Sequence, residues 1–325
     1  MITTRALVKK YGDFAAVRGI DLDVREGEIF GFLGPNGAGK STTISILCTL
    51  LKPTAGEVTV AGCDVRRDPD EVRRRIGLIF QDPSLDEQLT ARENLEFHGF
   101  LYGLPARLRR DRIAEVLEIV GLADRAKDVV RTFSGGMKRR LEIARGVMHH
   151  PQVLFLDEPT LGLDPQTRAH IWEYLHGLRK REGITVFMTT HYMDEAEFCE
   201  RIAIIDRGTI VALGTPDELK AKVGGDIITI KPEGDPEVMA QAVGAAFSLA
   251  ATVHHDAVRV EVPDSSTFVP RLFSELREPV KSLSLHRPSL DDVFLKLTGH
   301  GIRDEEAGSM DQLRNMARMF RGGRR

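Results

Sequence analysis

The sequence predicts an α/β chain: a large unit built on a parallel sheet, then a smaller α+β domain. Three observations predict it. Short continuous apolar runs, "EIFGFLG" (28–34), "VLFLDEP" (153–159), "TVFMTTH" (185–191) and "RIAIIDRG" (201–208), are separated by helical patterns, as strands buried on both faces of a parallel sheet are. The first of these runs leads through a Gly-rich loop into "KSTTISILCTLL", a buried-helix pattern. Beyond about residue 220 the runs give way to alternating strands and amphipathic helices.

Each element follows from its local pattern. "EVTVAG" (57–62) and "RIGLIFQ" (75–81) add strands to the first unit, the former antiparallel and near an edge. Between about 88 and 150 the pattern is helical and defines a helical subdomain. "ARENLEFHGFLYGL" and "RDRIAEVLEIVGL" repeat apolar residues at three- and four-residue spacing, and Gly121 is a stop signal. The first unit spans residues 1–222. The second, 225–299, reads strand "DIITIKP", helix "DPEVMAQAVGAAF", and hairpin "LAATVHHDAVRVEV" turning at His255-Asp256. Helix "STFVPRLFSELRE" and strand "VKSLSLHRP" follow. That order, β-α-β-β-α-β, is the ferredoxin-like split arrangement. "SLDDVFLKLTG" adds a helix with Ser289 as N-cap and Gly299 as C-cap. Residues 300–325 form a polar, Gly- and Arg-rich tail in which Met310, Leu313, Ala317 and Phe320 recur at helical spacing. The Arg runs "VRRRIG" and "LRRDR" read as solvated helix faces.

Composition narrows the function. With 42% hydrophobic and 29% charged residues in 325, the chain can bury two cores like an ordinary globular protein. A formal net charge of −3 gives no footing for a nucleic-acid partner, and none is expected. Cys48, Cys63 and Cys199 are scattered, which points to a reduced compartment and indicates neither a zinc site nor a disulfide framework. The N-terminal "MITTRALVKKYGDF" has no apolar core of a signal peptide, and no window approaches about 18 uninterrupted apolar residues. Any membrane span the protein works with belongs to another chain.

The loop "GPNGAGKSTT" fits G-x-x-x-x-G-K-[ST] at Gly34, Gly39, Lys40 and Ser41. Glycines let backbone N–H groups turn inward around phosphate oxygens, and the following helix adds its positive end. Gly34, Asn36, Gly37, Ala38, Gly39, Lys40, Ser41 and Thr42 are therefore candidate nucleotide-binding positions. Lys40 reaches the β- and γ-phosphates in such a cradle, and the Ser41 hydroxyl meets Mg²⁺. Asp157 ends an apolar strand, where a magnesium-holding acid belongs. Glu158 beside it can orient and polarise an attacking water. In "TFSGGMKRRLEIARG" (132–146), Ser134-Gly135-Gly136 opens a basic amphipathic helix, a second anion site some twenty residues before the Asp-Glu pair. Two anion sites with one cradle suggest pairing with another copy.

From "LVKKYGDFAAVRGIDLDVREGEIFGFLGPNGAGKSTT" to "RPSLDDVFLKLTG" the chain resembles the ATP-binding subunits of ABC transporters, and most of all the daunorubicin-resistance type of drug-efflux ATPase. The resemblance implies a P-loop cassette whose Tyr11 stacks on adenine and whose Gln81 senses the γ-phosphate and Mg²⁺. By the same resemblance, Ser134, Gly135 and Gly136 bind the γ-phosphate held by the opposite subunit, Asp164 is the dimer-interface aspartate, and His191 is the switch histidine. The implied cofactors are ATP and Mg²⁺. The implied partners are a second copy and a separate transmembrane permease gripped by the segment Ser84 to Tyr102. The protein is then cytoplasmic and peripheral at the inner membrane face, exporting a hydrophobic drug or lipid-like molecule, with the C-terminal domain serving regulation or dimer support.

Two positions depart from the family pattern. The signature reads Phe133-Ser-Gly-Gly-Met137 where L-S-G-G-Q is usual, and Leu161-Gly162 replaces the common Ser-Ala. "SGGMKRR" is typical of the drug-resistance branch. Two other readings remain: a soluble cassette ATPase acting on nucleic acid or ribosomes, and a GTPase or kinase. The chain has one cassette and no sustained heptads, against the first. It has no N-K-x-D guanine signature, against the second.

Overall fold

The computed structural model describes residues 1–81, 84–276 and 278–298. They form two compact units, dividing between Thr215 and Pro216. The tail expected over 300–325 and the proposed C-cap Gly299 lie outside the described residues.

The first unit opens with a hairpin that the apolar runs did not reveal. Strands β1 (Ile2–Tyr11) and β2 (Phe14–Val24) pair antiparallel. Register shifts along the pair, with Ala6 at a left-handed φ of 46°, interrupt the two-residue alternation that would mark a strand. Then come β3 (Ile29–Leu33), buried along its whole length, and α1 (Lys40–Leu47). β4 (Ala55–Val60) pairs antiparallel with β1 and with the two-residue edge strand β5 (Cys63–Asp64), so this sheet runs β2-β1-β4-β5. After α2 (Pro69–Arg75), β6 (Ile76–Ile79) joins a different sheet.

The helical layer follows. α3 (Ala91–Leu101) starts at a reciprocal cap in which Thr90 accepts from the Glu93 N–H and Glu93 accepts from the Thr90 N–H. α4 (Ala106–Ile119) ends before Gly121, whose φ of 64° supplies the left-handed turn expected of that stop. α5 (Gly135–Gly146) completes the layer.

The chain returns as β7 (Val153–Asp157), α6 (Pro165–Glu182), β8 (Thr185–Thr190), α7 (Met193–Ala196), β9 (Arg201–Asp206) and β10 (Thr209–Gly214). The second sheet runs β10-β9-β3-β8-β7-β6, parallel from β9 to β6, with β10 antiparallel at the edge. β7 and β8 are buried at every position, which is why they read as unbroken apolar runs. The core between the two sheets gathers Ile2, Val17, Phe30, Ile46, Val60 and Phe155, among others.

One charge run was misread. "LRRDR" is no uniformly solvated face, because Arg112 is almost wholly buried. Its guanidinium donates to Val147 O at 2.8 Å and to both Glu182 oxygens at 2.7 Å, and pairs with Glu115 at 2.8 Å. Arg112 stands beside Ile113 on the buried stripe of α4 and ties that helix to the end of α6. Arg112→Ala strands a largely buried Glu182 and is expected to destabilise the chain by about 3 kcal/mol, read as a lowered urea midpoint.

The second unit begins with α8 (Pro216–Ala221), which packs on α11 (Leu290–Thr298) and buries Leu219 completely. By its contacts α8 thus belongs to the second unit. Between these helices lie β11 (Asp226–Pro232), α9 (Pro236–Phe247), β12 (Ala251–His254), β13 (Ala257–Val262), α10 (Ser265–Glu275) and β14 (Val280–His286). The sheet is antiparallel in the order β12-β13-β11-β14, the ferredoxin-like arrangement. The β12–β13 hairpin closes at the expected turn, with His255 at a φ of 54°. Ser289 caps α11: its hydroxyl accepts from the Asp292 N–H at 3.2 Å, and Asp292 accepts from the Ser289 N–H at 2.8 Å.

Candidate active site

The C-terminal ends of β3, β7 and β8 converge, the position where an open parallel sheet builds its ligand cleft. The loop from Gly34 to Gly39 leaves β3 there, and the Gly34 N–H donates to Thr190 O at the end of β8 (3.2 Å). Gly39 caps α1 at a φ of 108°, and a Cβ on it would stand 2.7 Å from Ala16 O. Only glycine allows the chain to turn so closely into the helix. Ala38 is buried and accepts the Gly208 N–H at 2.9 Å, pinning the loop to the β9–β10 turn.

Lys40 is buried. Its ammonium donates to Gly34 O at 2.8 Å and Pro35 O at 3.1 Å, and lies 3.3 Å from Glu158 Oε1. Glu158 sits at a left-handed φ of 46°, a strained conformation for a non-glycine residue, held by its N–H donating to Thr189 O (3.2 Å) and Thr189 Oγ1 (3.1 Å). His191 Nδ1 lies 3.2 Å from the same Glu158 oxygen. Burial pushes the Glu158 carboxyl up, but His191 and the Lys40 ammonium outweigh it and hold the group below its ordinary value. Glu158 is thus an ionised carboxylate at neutral pH, the form that can accept a hydrogen bond from a water.

Tyr11, Phe14, Asn36, Gly37, Gly39, Lys40, Ser41, Thr42, Gln81, Glu158, Leu161 and His191 line one cleft. Tyr11 and Phe14 are both strongly exposed beside the phosphate loop, and Lys9 lies over the Tyr11 ring at 5.0 Å. Phe14 escaped the sequence reading, because nothing local separates it from a hairpin-tip residue. Asp157 is buried, and Thr189 donates its hydroxyl to Asp157 Oδ1. Ser41 and Gln81 line the cleft, whereas the buried Asp157 is not among its lining residues; the hydroxyl, amide and carboxylate oxygens of the three are of the kind a hard divalent cation such as Mg²⁺ takes.

The signature residues stand elsewhere. Ser134 caps α5, accepting the Met137 N–H at 3.3 Å. Ser134, Gly136 and Met137 line a separate depression with Arg140, Thr167, His170 and Tyr174. A Cβ on Gly136 would lie 2.5 Å from Thr167 Cγ2, so Gly136 lets α5 seat directly on α6. Asp164 caps α6 through the Thr167 N–H at 3.0 Å and the Thr167 hydroxyl at 2.6 Å. The buried Arg139 of α5 donates to Pro159 O at 2.6 Å and Phe80 O at 2.7 Å, joining the signature helix to the Glu158 and Gln81 turns. That role was hidden in a basic run.

Parallel strands ending in a phosphate loop and an acidic pair, with a helical layer inserted before the acidic strand, are the cassette architecture of nucleotide hydrolases. The chain matches the ABC transporter family over residues 17–161 and the C-terminal domain of DrrA1-3-like ATP-binding proteins over 214–298. It is 44% identical to the daunorubicin resistance ATP-binding protein DrrA3 of Streptomyces coeruleorubidus, over 94% of this chain and 98% of that protein. It is 42% identical to the linearmycin resistance ATP-binding protein LnrL of Bacillus subtilis, over 94% and 100%. Among solved structures, the dimeric post-hydrolysis cassette MJ0796 bound to ADP and Pi is 34% identical. It covers 66% of this chain and 98% of its own at a TM-score of 0.59. The cassette cbiO1 from Clostridium perfringens is 28% identical and covers 76% and 95% at a TM-score of 0.64. The chain belongs to the ABC transporter ATP-binding proteins of the DrrA type. It binds ATP and is an ATP hydrolase.

Proposed function

We propose that this ATPase closes as a head-to-tail pair around two ATP molecules with Mg²⁺ and drives outward transport of a hydrophobic drug or lipid-like molecule through a separate transmembrane subunit. One observation carries the pairing. The signature depression around Ser134 and Gly136 is distinct from the cleft that holds Lys40 and Glu158. A phosphate bound at Lys40 is completed by a second copy's signature, whose helix start presents N–H groups. MJ0796, similar over its whole length, is dimeric with ADP and Pi.

In this reading Tyr11 stacks on the adenine, and the loop amides with Lys40 grip the phosphates. Ser41, Gln81 and Asp157 would hold Mg²⁺, which would supply positive charge against the phosphates. Glu158 orients water for in-line attack on the γ-phosphorus. The bond to the β–γ bridging oxygen breaks, leaving ADP and inorganic phosphate, while His191 holds Glu158 and faces the γ-phosphate. Closure brings in the partner's signature, with Asp164 at the seam. The C-terminal domain supports the nucleotide-free pair.

Among the described residues no helix is long and apolar enough to cross a membrane, so the span is assigned to a permease subunit. Its docking surface is the exposed face of α3. Phe97, Phe100 and Leu101 are each at least 60% exposed, at helical spacing, above a Tyr102–His149 ring stack with centroids 3.8 Å apart. Burial holds His98 and His149 down to about 4, so neither of these rings carries a charge at neutral pH. Relatives named for daunorubicin and linearmycin resistance support a hydrophobic cargo moving outward. The test is isolation of the permease with this chain from native membranes, followed by transport in inverted vesicles. Phe97→Asp with Phe100→Asp is expected to abolish transport while basal ATPase stays within about twofold. Transport persisting in that variant places the docking surface elsewhere.

A further inference from the structure

We propose that Glu195 is a positioning residue for hydrolysis: its buried carboxylate clamps the turn that follows Glu158 to the loop that carries His191. Glu195 lies in α7, four residues after His191, and is 3% exposed. Its two oxygens divide between the two loops. Oε1 accepts the hydroxyl of Thr160, two residues after Glu158. Oε2 accepts the hydroxyl of Thr190 at 2.7 Å, and Thr190 immediately precedes His191. The Thr190 hydroxyl in turn accepts the Tyr192 N–H at 2.9 Å, so the backbone on both sides of His191 is fixed by one carboxylate.

The same junction reaches α6. The Arg168 guanidinium lies 5.3 Å over the Tyr192 ring. Burial raises the Glu195 carboxyl, opposed by the Thr190 hydroxyl and the charge of Arg168. Arg168 adjoins Thr167, which holds Asp164 and packs on Gly136. A continuous set of contacts thus runs from the signature and the Asp164 turn, through Glu195, to the His191–Glu158 pair.

A carboxylate out of water is unfavourable unless both oxygens find donors. An apolar side chain would fill this space without that penalty, but it could not hold two loops in register. Glu158 needs such a hold: its backbone is strained, and its carboxylate must face water with sub-ångström placement.

The inference rests on reading Glu158 and His191 as the hydrolytic pair. The test uses the full chain with Mg-ATP, measuring kcat, KM, equilibrium ATP affinity and thermal midpoint. Glu195→Ala is expected to lower kcat about 10- to 100-fold while KM and ATP affinity stay within about threefold. Glu195→Gln, whose amide can meet both hydroxyls, restores most of the rate. Adding Glu195→Ala to His191→Ala lowers kcat little further, because both act on one pair. Thr160→Val and Thr190→Val each reproduce part of the loss and decide the matter if Glu195→Ala fails to fold. Wild-type kcat in Glu195→Ala or in both threonine variants overturns the proposal. So does a rate loss matched by lost ATP affinity, or one that glutamine does not rescue. Glu158→Gln is measured alongside. Full turnover there overturns the hydrolytic pair itself, whereas loss there with an unaffected Glu195→Ala overturns only the clamp.

Discussion

Glu158→Gln is expected to lower ATP turnover at least about 100-fold while ATP binding persists, a loss of the size general-base removal produces. The amide keeps the shape of the carboxylate but gives up its charge, so water is no longer polarised for attack. Lys40, 3.3 Å away, makes its main contacts to Gly34 O and Pro35 O and stays in place to grip phosphate. In the proposed cycle cutting releases the paired state, so the variant with ATP and Mg²⁺ should elute from gel filtration at twice the monomer mass and revert when nucleotide is removed. An ATPase rate equal to the wild type would remove Glu158 from the reaction. A dead enzyme that never dimerises would separate hydrolysis from closure.

The second large effect separates the two anion sites. Lys40→Ala is expected to weaken nucleotide binding to the single chain about 10- to 100-fold, the worth of one or two charge-assisted hydrogen bonds. Ser134→Arg should leave that binding unchanged, since Ser134 lines the other depression, yet abolish ATP-dependent pairing by filling the surface a partner's phosphate must enter. Fluorescent-nucleotide titration of dilute protein reads the first quantity, and sedimentation with Mg-ATP reads the second. Equal loss of single-chain binding in both variants would contradict a site shared between two copies.

The contrast between these two residues marks how far the sequence reaches. The phosphate cradle was legible because it is local: Gly34 to Thr42 are consecutive, and their chemistry depends on backbone amides and one helix start. Asp157 and Glu158 were legible for the same reason, at the end of a run whose unbroken apolarity reports a strand buried on both faces. The C-terminal β-α-β-β-α-β order could be read because its strands alternate over one covered face, with Val258, Val260 and Val262 inward and Arg259 and Glu261 outward. The β1–β2 hairpin could not. Its bulges break the alternation, and it packs through Ile2, Leu7 and Val17 against strands met only later in the chain.

By itself, then, the sequence determined which residues are candidates for phosphate chemistry and the order of the elements around them, since hydrophobic period and loop composition are properties of neighbouring residues. Tertiary structure decided how those residues are held. It placed Phe14 beside Tyr11 at the cleft and turned Arg112 inward from a charged run to meet Glu182. It brought Thr160, Thr190 and Glu195 together, although Thr160 and Glu195 stand 35 positions apart in the chain. It also set the signature apart from its own chain's cradle. Such contacts satisfy buried charges and hydroxyls across elements, and a buried polar group leaves no period in the sequence: its partner is fixed by where the backbone brings a donor, not by its own neighbours.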